Sequence, residues 1–180
     1  MIDLGQLYGP LEITASLVVD AEGHHVGSDG TSKSLGGEVD LKLLKSFRAN
    51  AGAVITTGTT ARAEDYKLPS SASLYILSRG AKEQLPLQLR GESVTLIGND
   101  GSMSLAEVFA SLSDRGVSRI HVEFGPSTLL KLIDTEISAR IFVSSESANG
   151  AAKFCSFNNL QTVETKTIDY LYVTELAGRA

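Results

Sequence analysis

The stretch RIHVEFGPSTLLKLID, residues 119–134, decides the fold that we predict for this chain. Its first five residues, in which the β-branched Ile120 and Val122 alternate with polar residues, predict a buried-type strand, and the apolar residues after Pro126 recur at helical spacing. Proline suits the first position of a helix, because the N–H group that it lacks would have no partner there. Gly125 lets the backbone turn closely between the two elements. The stretch therefore predicts a strand that passes directly into a helix.

Further strand and helix signals alternate along the rest of the chain. Strands are predicted over residues 11–20, 53–57, 74–78, 93–98 and 137–145, and helices over 38–50 and from a capping box at 104–107 to about 115. Such alternation is typical of a mainly parallel sheet with right-handed crossovers. Residues 160–166 and 169–176 have no helix between them, so we expect an antiparallel C-terminal hairpin. We predict one α/β domain over residues 1–180.

Composition excludes several kinds of function. With 180 residues, 42% of them hydrophobic and 21% charged, the chain can bury a full core. Its net charge of −5, without a run of Lys or Arg, argues against a nucleic-acid partner. No leader and no apolar run of membrane-spanning length is visible, so we expect a cytoplasmic protein with no membrane contact. The single cysteine, Cys155, excludes an internal disulfide and a cysteine-based zinc cluster.

The turn after Glu123 is the strongest candidate for a binding site, because ligands of open α/β sheets bind beyond the carboxyl ends of the strands. We expect the N–H groups of Ser127, Thr128 and Leu129 to point outward at the positive end of the helix dipole. Such a site suits a pyrophosphate. The alternative is an ordinary strand-to-helix turn in which Glu123 is solvated.

Two other segments also follow predicted strands. The threonines of TTGTT, residues 56–60, offer donors to a phosphate or a ribose, but the same residues are typical of a plain turn and helix cap. The long loop over residues 20–37 contains His24 and His25. Neighbouring side chains on an extended segment point to opposite sides, and no further ligand spacing follows, so we predict no metal site.

Four segments, taken in order, resemble the reductase domain of riboflavin biosynthesis, a dihydrofolate-reductase-like domain that follows a deaminase domain in many bacteria. DAEG (20–23) stands where the family has Ser-Leu-Asp-Gly, and GTSKSLGG (30–37) with the helix after it resembles the next family segment. TARAED (60–65) resembles Thr-Val-Arg-Ala-Asp-Asp, and EFGP (123–126) resembles Glu-Gly-Gly-Pro. The zinc signature of the deaminase half is absent from the sequence, so the resemblance is to the reductase alone.

The resemblance implies an NADPH-dependent reductase that converts the ribose of 5-amino-6-(5-phosphoribosylamino)uracil to the ribitylamino product. By this likeness the residues that contact the substrate would be Ser32, Arg48, Leu68 and Glu123. Arg48 would pair with the phosphate, and Glu123 would orient the pyrimidine or relay a proton. The residues that hold NADPH would be Val18, Ser34, Thr60, Glu64, Ser78, Gly125, Pro126, Ser127, Thr128 and Leu129. Val18 would lie behind the nicotinamide, and the last five residues belong to a turn that runs on to Lys131.

The chain departs from the family at four positions, which are Glu22, Ser34, Ser71 and Phe124. Two alternatives therefore stay open. One is a reductase of the same fold that acts on a pterin or on another imine or carbonyl compound. The other is a non-catalytic relative that serves as a cofactor-binding or dimerisation module. The C-terminal hairpin leaves a sheet edge, so we also predict a homodimer.

Overall fold

The computed structural model describes residues 1–91, 93–98 and 103–179. The strands within them are β1 (Ile13–Val18), β2 (Ala53–Thr57), β3 (Ser73–Leu77), β4 (Val94–Ile97), β5 (Ile120–Glu123), β6 (Arg140–Ser145), β7 (Leu160–Ile168) and β8 (Leu171–Arg179). The helices are α1 (Leu4–Tyr8), α2 (Gly37–Asn50), α3 (Gly58–Ala63), α4 (Leu105–Asp114), α5 (Pro126–Ile133) and α6 (Gly150–Asn158). Two 3-10 turns, Lys82–Gln84 and Leu87–Leu89, lie between β3 and β4.

The strands form one sheet in the order β4-β3-β2-β5-β1-β6-β8-β7. The six strands from β4 to β6 in this order run parallel, and β8 runs antiparallel to its neighbours β6 and β7. β5 lies inside the sheet, where Val122 pairs with Ala15 of β1 and with Ile55 of β2. The predicted α/β class, the mainly parallel sheet and the antiparallel C-terminal hairpin are therefore confirmed.

Helices cover both faces of the sheet. α4, α5 and α6 pack on one face, in a core that includes Val122 and Leu129. α1, α2 and α3 pack on the other face, where Phe47 of α2 stacks on His121 at a ring distance of 4.9 Å. Alternate residues of a strand face opposite sides, so His121 and Glu123 of β5 both point toward the α2 face. This alternation places a polar pair beneath α2.

The strands and helices predicted from the sequence are present, and their ends differ from the prediction by only a few residues. Ser104 and Glu107 form the expected capping box at the start of α4. Gly116 follows the end of that helix with a φ of +78°, a conformation that favours glycine. The apolar periodicity of these segments therefore predicted the strands of the parallel sheet and the helices that connect them.

Three helices, α1, α3 and α6, were not predicted. α3 begins in the TTGTT segment, where the Thr57 hydroxyl accepts a hydrogen bond from the Thr60 amide at 3.0 Å. The turn-and-cap interpretation of that segment is therefore confirmed. α1 has five residues, and α6 buries small residues such as Ala151 and Cys155, so neither carries a strong apolar period.

Candidate functional site

A cleft of about 1190 Å³ lies at the carboxyl ends of β1, β2, β5 and β6. This is where a parallel sheet binds its ligands. Its walls are α2, the start of α3 and the residues after it, the start of α5, and the loop between β1 and α2. We name it the central cleft.

An ion pair between Arg48 of α2 and Glu123 of β5 lies in the central cleft. Arg48 donates from Nε to Oε1 and from Nη2 to Oε2 of Glu123, both at 2.7 Å. The Tyr66 hydroxyl donates to the same carboxylate at 2.6 Å and accepts from Arg48 Nη2 at 3.0 Å. Only 10% of the Glu123 side chain and 20% of the Arg48 side chain are exposed. Sequence reasoning found Arg48 and Glu123 but neither their contact nor Tyr66.

These contacts decide the charge of Glu123. Burial raises its pKa, but the hydrogen bonds and the charge of Arg48 outweigh burial and leave the pKa below its ordinary value. Burial also raises the pKa of the Tyr66 hydroxyl, and the charge of Glu123 raises it further. Glu123 is therefore an ionised carboxylate held by a cation and a neutral phenol, rather than the solvated side chain of the alternative prediction.

His121 lies beside this pair and is fully buried. Its Nδ1 is hydrogen-bonded to the Thr14 hydroxyl at 2.8 Å and its Nε2 to the Ser16 hydroxyl at 3.1 Å. Burial lowers the pKa of His121 to about 4, against the raising effect of Glu123. The imidazole is therefore neutral at neutral pH, so Arg48 is the cation that balances Glu123.

The start of α5 differs from the prediction. The amides of Thr128 and Leu129 both donate to the carbonyl oxygen of Gly125, at 3.1 and 3.0 Å. The prediction of three outward amides is therefore wrong for these two residues. Gly125 is the N-cap, so the amide of Leu129 already belongs to the regular helix, and the amide of Thr128 makes a tighter 3-10 bond.

One amide at this helix start keeps no protein acceptor. The Gly125 amide donates to the Thr60 hydroxyl at 3.2 Å, and Pro126 has no N–H group. Among the described residues we find no acceptor for the amide of Ser127, which lines the central cleft. The predicted anion site is thus reduced to the Ser127 amide and the dipole of an eight-residue helix.

Most of the other predicted site residues also line the central cleft. Those that do are Val18, Ser32, Arg48, Thr60, Glu64, Glu123, Gly125, Pro126, Ser127 and Thr128. Ser32 and Glu64 touch each other, because the Ser32 amide donates to the Glu64 carboxylate at 2.9 Å. This bond ties the loop after β1 to the end of α3.

Four predicted residues do not line the cleft. Leu68 lies beside a shallow pocket at the amino ends of β2 and β3, away from the strand ends where ligands bind, and Leu129 is buried in the core. The predicted substrate contact of Leu68 is corrected, because the chain turns back after α3. The predicted NADPH contact of Leu129 is corrected, because helix geometry points its side chain inward. The Ser34 hydroxyl bonds Asp29 at 3.0 Å, and the Ser78 hydroxyl bonds the backbone of Gly80. Their predicted contacts with NADPH stay predictions.

Of the four departures from the family, Glu22, Ser34 and Ser71 do not line the central cleft, whereas Phe124 is part of its lining. Phe124 has 2% of its surface exposed and packs in the core beneath α5. The Ser71 hydroxyl lies 3.4 Å from the carbonyl oxygen of Arg48, behind α2. Glu22 pairs with Lys153 of α6 at 2.6 Å. Most of the Phe124 surface is therefore buried against the core, although the residue contributes to the lining of the cleft.

Asp40 is a cleft residue that sequence reasoning missed. It lies on α2, eight residues before Arg48, so the two side chains are about 80° apart around the helix and fall within one broad face, and both line the cleft. Its Oδ1 accepts a hydrogen bond from the Ser144 hydroxyl of β6 at 2.5 Å. Burial raises the pKa of Asp40, the Ser144 hydrogen bond lowers it, and the charge of Glu146 raises it. The spacing from Arg48 was the sequence signal that could have found it.

The described residues contain neither a cluster of metal-ligating side chains nor a membrane-spanning helix. No group of three or more His, Cys, Asp or Glu side chains within residues 1–91, 93–98 and 103–179 has the arrangement of a metal site. Among the helices of the same residues, none is both long and apolar enough to cross a membrane.

The sheet order, the helices on both faces and the cleft at the strand ends define an α/β domain with a dihydrofolate-reductase-like fold. A pyrimidine reductase-like protein from Corynebacterium diphtheriae has a similar structure, with a TM-score of 0.64 and 18% identity over 99% of this chain and 96% of that chain. RibD from Acinetobacter baumannii has a TM-score of 0.70 and 16% identity, over 98% of this chain and 60% of its own. Schistosoma mansoni dihydrofolate reductase has a TM-score of 0.56 and 15% identity, over 92% of this chain and 96% of its own.

No family model matches the sequence, and no curated protein is significantly similar to it in sequence. At identities of 15 to 18% the structural likeness concerns the fold. The resemblance stated from the sequence motifs is therefore confirmed at that level, because the proteins that share the fold include a pyrimidine reductase-like protein and RibD.

Proposed function

We propose that this chain is an NADPH-dependent reductase of the riboflavin biosynthesis type, acting on 5-amino-6-(5-phosphoribosylamino)uracil. The observation that carries the proposal is the central cleft, in which an ionised Glu123 lies beside the start of α5 at the end of a central parallel strand. A cleft of about 1190 Å³ is large enough for a dinucleotide and a small substrate together. The pyrimidine reductase-like protein and RibD among the structural neighbours support the same reaction class.

The donors at the start of α5 fit the diphosphate of NADPH. The Ser127 amide has no acceptor among the described residues, and Thr60 and Thr59 bring hydroxyl groups to the same wall of the cleft. Val18, at the end of β1, offers an apolar surface for the nicotinamide, as the family resemblance implies. When bound, NADPH supplies the hydride. The protein's part is to hold the acceptor carbon near it and to exclude water.

Arg48 was predicted to pair with the substrate phosphate, but most of its hydrogen-bonding capacity is used within the protein. Its Nε and Nη2 are occupied by Glu123, so it can give only its remaining nitrogen to a substrate phosphate. Lys45, one helical turn earlier, lines the cleft and has no carboxylate partner among the described residues. We assign the substrate phosphate to Lys45 together with Arg48.

Glu123 was predicted either to orient the pyrimidine or to relay a proton. A carboxylate whose pKa lies below its ordinary value holds no proton to give at neutral pH. The ion pair therefore supports the orienting role. We expect Glu123→Gln to lower turnover while NADPH affinity stays within about twofold, and an unchanged rate would remove Glu123 from the mechanism.

Substrate assays test the proposal directly. NADPH oxidation is measured with the ribosylaminopyrimidine phosphate, with dihydrofolate and with a simple imine, and NADPH binding is titrated separately. We expect turnover with the first substrate. Turnover with dihydrofolate alone would favour the pterin alternative, and failure to bind NADPH would favour the non-catalytic relative.

A matched pair of variants tests the cofactor site. Ser127→Pro removes the amide, which has no acceptor among the described residues, whereas Ser127→Ala keeps the amide and removes only the hydroxyl. We expect NADPH affinity to fall about tenfold in the proline variant and to change little in the alanine variant. Equal affinities in the two variants would contradict the assigned diphosphate site.

The predicted homodimer is proposed through the outer edge of β7. This nine-residue strand pairs with β8 on one side, and Val163 is 61% exposed. An edge of this length can pair with a second copy. Sedimentation of the wild-type chain and of Val163→Lys tests the proposal: a wild-type dimer that the charge dissociates supports it, and a wild-type monomer contradicts it.

A further inference from the structure

The buried imidazole of His121 lies directly beneath one hydroxyl group of the central cleft. Ser16 of β1 is half-buried and lines the cleft, and its Oγ lies 3.1 Å from Nε2 of His121. On the other side of the ring, Nδ1 lies 2.8 Å from Oγ1 of Thr14, a residue that is 4% exposed. Phe47 stacks on the ring at an interplanar angle of 3° and so fixes its plane. The imidazole thus connects a buried hydroxyl group to one that lines the cleft.

Thr14 determines which nitrogen of this ring carries the hydrogen. A neutral imidazole donates from one nitrogen and accepts at the other. Within residues 1–91, 93–98 and 103–179, the Thr14 hydroxyl has no partner besides Nδ1 of His121. If Nδ1 carried the hydrogen, the hydroxyl hydrogen of Thr14 would be buried without an acceptor, which is costly. Thr14 therefore donates to Nδ1, and Nε2 carries the hydrogen of the ring.

Glu123 favours the same arrangement of the hydrogens. Its Oε1 lies 3.8 Å from Nε2 of His121, too far for a hydrogen bond but close enough for its charge to act. A lone pair on Nε2 would lie beside this negative charge, whereas an N–H group is attracted by it. Nε2 therefore donates to Ser16, and the Ser16 hydroxyl keeps its own hydrogen for another acceptor. Among the residues that the structure describes, no such acceptor is present.

Glu123 also places a hydrogen-bond acceptor beside this donor. A carboxylate offers about four lone pairs. Arg48 Nε uses one lone pair of Oε1, whereas Arg48 Nη2 and the Tyr66 hydroxyl use both of Oε2. One lone pair of Oε1 is left. Ser16 Oγ and Glu123 Oε1 lie 3.1 and 3.8 Å from the same nitrogen of His121, and in the described part of the chain no hydrogen bond joins them.

We propose that Ser16 and Glu123 together recognise a lactam, which is a ring carbonyl group next to a ring N–H group, and that His121 orients Ser16. The Ser16 hydroxyl donates to the carbonyl oxygen, and Oε1 of Glu123 accepts from the N–H group. This inference deepens the proposed function and rests on it for the identity of the ring, because a uracil has such an edge at C4 and N3. Ser16 is then a specificity residue, and His121 is a positioning residue.

The first test needs no ligand. The protein is labelled with nitrogen-15 in its histidine rings, and the His121 signals are assigned by their loss in His121→Gln. The chain has three histidines, so few signals have to be separated. At neutral pH we expect the chemical shifts of an imidazole with a hydrogen on Nε2 and a bare Nδ1. A ring with its hydrogen on Nδ1, or with hydrogens on both nitrogens, would overturn the proposal.

The second test uses two nucleotides that differ at the edge of the ring. Uridine 5′-monophosphate has a carbonyl group at C4 and an N–H group at N3, whereas cytidine 5′-monophosphate has an amino group and a bare nitrogen there. Titration calorimetry should show about tenfold tighter binding of the uridine nucleotide to the wild type. Ser16→Ala should weaken that nucleotide about tenfold and the cytidine nucleotide less than about twofold, and Ser16→Thr should restore most of the affinity. Equal binding of the two nucleotides to the wild type, or binding of neither, would contradict the lactam site.

A pair of variants tests the positioning role of His121. The amide nitrogen of Gln falls near the place of Nε2, and that of Asn falls near the place of Nδ1. His121→Gln should therefore keep a donor for Ser16 and bind uridine 5′-monophosphate within about threefold of the wild type, whereas His121→Asn should lose about tenfold. Both variants bury one amide in place of the ring, so a merely structural role would not rank them in this order. Equal affinities in the two variants would remove the positioning role.

Turnover separates this inference from the proposed function. Ser16→Ala should raise KM for the ribosylaminopyrimidine phosphate about tenfold with a smaller change in kcat, because the contact is made with the bound substrate as well as in the transition state. If the wild type turns over that substrate and Ser16→Ala keeps its KM and its nucleotide preference, the lactam site is wrong while the proposed function stands. If the uridine preference depends on Ser16 but the wild type oxidises NADPH with no pyrimidine, the lactam site stands and the proposed reaction is wrong.

Discussion

Glu123 and Asp40, two of the carboxyl groups that line the central cleft, have unlike partners. Glu123 receives two hydrogen bonds from Arg48 and one from Tyr66, whereas Asp40 receives one from Ser144. Both are removed from water, so burial alone would raise both pKa values. Only Glu123 has a cation to reverse that effect. The difference shows that the partners of a buried carboxyl group, and not burial alone, decide the direction in which its pKa moves.

The largest expected effect on stability comes from removing Arg48, the cation that pairs with Glu123. Arg48→Met leaves the Glu123 carboxylate buried without its cation, and we expect the free energy of unfolding to fall by about 3–5 kcal/mol. Urea denaturation at neutral pH measures it. The double variant Arg48→Met with Glu123→Gln removes both charges and should recover part of the loss, and Lys45→Met on the same helix should cost little. A single variant as stable as the wild type would show that the pair is dispensable.

A second effect comes from His121, whose folded pKa of about 4 lies below the ordinary histidine value of about 6.5. Protons then bind the unfolded chain more readily, so stability is present above about pH 6.5 and is lost as pH falls toward 4. The loss amounts to about 3 kcal/mol over that window. Unfolding measured from pH 7 to 5 should show this slope in the wild type and in His24→Gln, an exposed histidine. His121→Gln should flatten it.

A smaller effect is expected at Tyr66. Tyr66→Phe removes a hydrogen bond to an ionised group, and such bonds contribute about 1.5–3 kcal/mol. Because Arg48 still holds Glu123, we expect a loss at the lower end of that range, together with a rise in the pKa of Glu123. Tyr75→Phe serves as the comparison, since it removes a phenol from β3 on the opposite face. Equal losses in the two variants would mean that the Glu123 contact is energetically neutral.

The smallest effect on stability is expected at Asp40. Asp40→Asn should change the free energy of unfolding by no more than about 1 kcal/mol at neutral pH, in the stabilising direction. The folded pKa is raised, so the wild type loses stability as pH rises from the ordinary aspartate pKa to the folded one, and the variant does not. Thermal unfolding across this range checks the sign. A loss as large as that of Arg48→Met would remove the contrast between the two carboxyl groups.

The sequence was a good guide to features that depend on near neighbours in the chain. Alternation of apolar runs, the Ser104 capping box and the Gly125–Pro126 turn each involve residues a few positions apart, and each is present in the fold. The same local signals placed the candidate site at the strand ends, where the central cleft lies.

Contacts between distant segments could not be predicted in this way. Arg48 meets Glu123 across 75 positions, and Asp40 meets Ser144 across 104. No local pattern encodes these pairs, because they exist only once β5 and β6 lie beside α2. The prediction of outward amides in α5 was wrong for another reason, since the amides of Thr128 and Leu129 both donate to the carbonyl oxygen of Gly125 where the helix begins.

The neutrality of His121 has a consequence for how a ligand enters. The positive charge of Arg48 and the negative charge of Glu123 cancel, and the imidazole adds none, so this side of the cleft floor is polar but carries no net charge. Lys33, Lys45 and Lys67 lie further along the lining. An uncharged ring would therefore meet no unbalanced charge at this part of the floor, whereas the rest of the lining carries charges of both signs, because Asp40, Glu64 and Asp65 lie there with the three lysines.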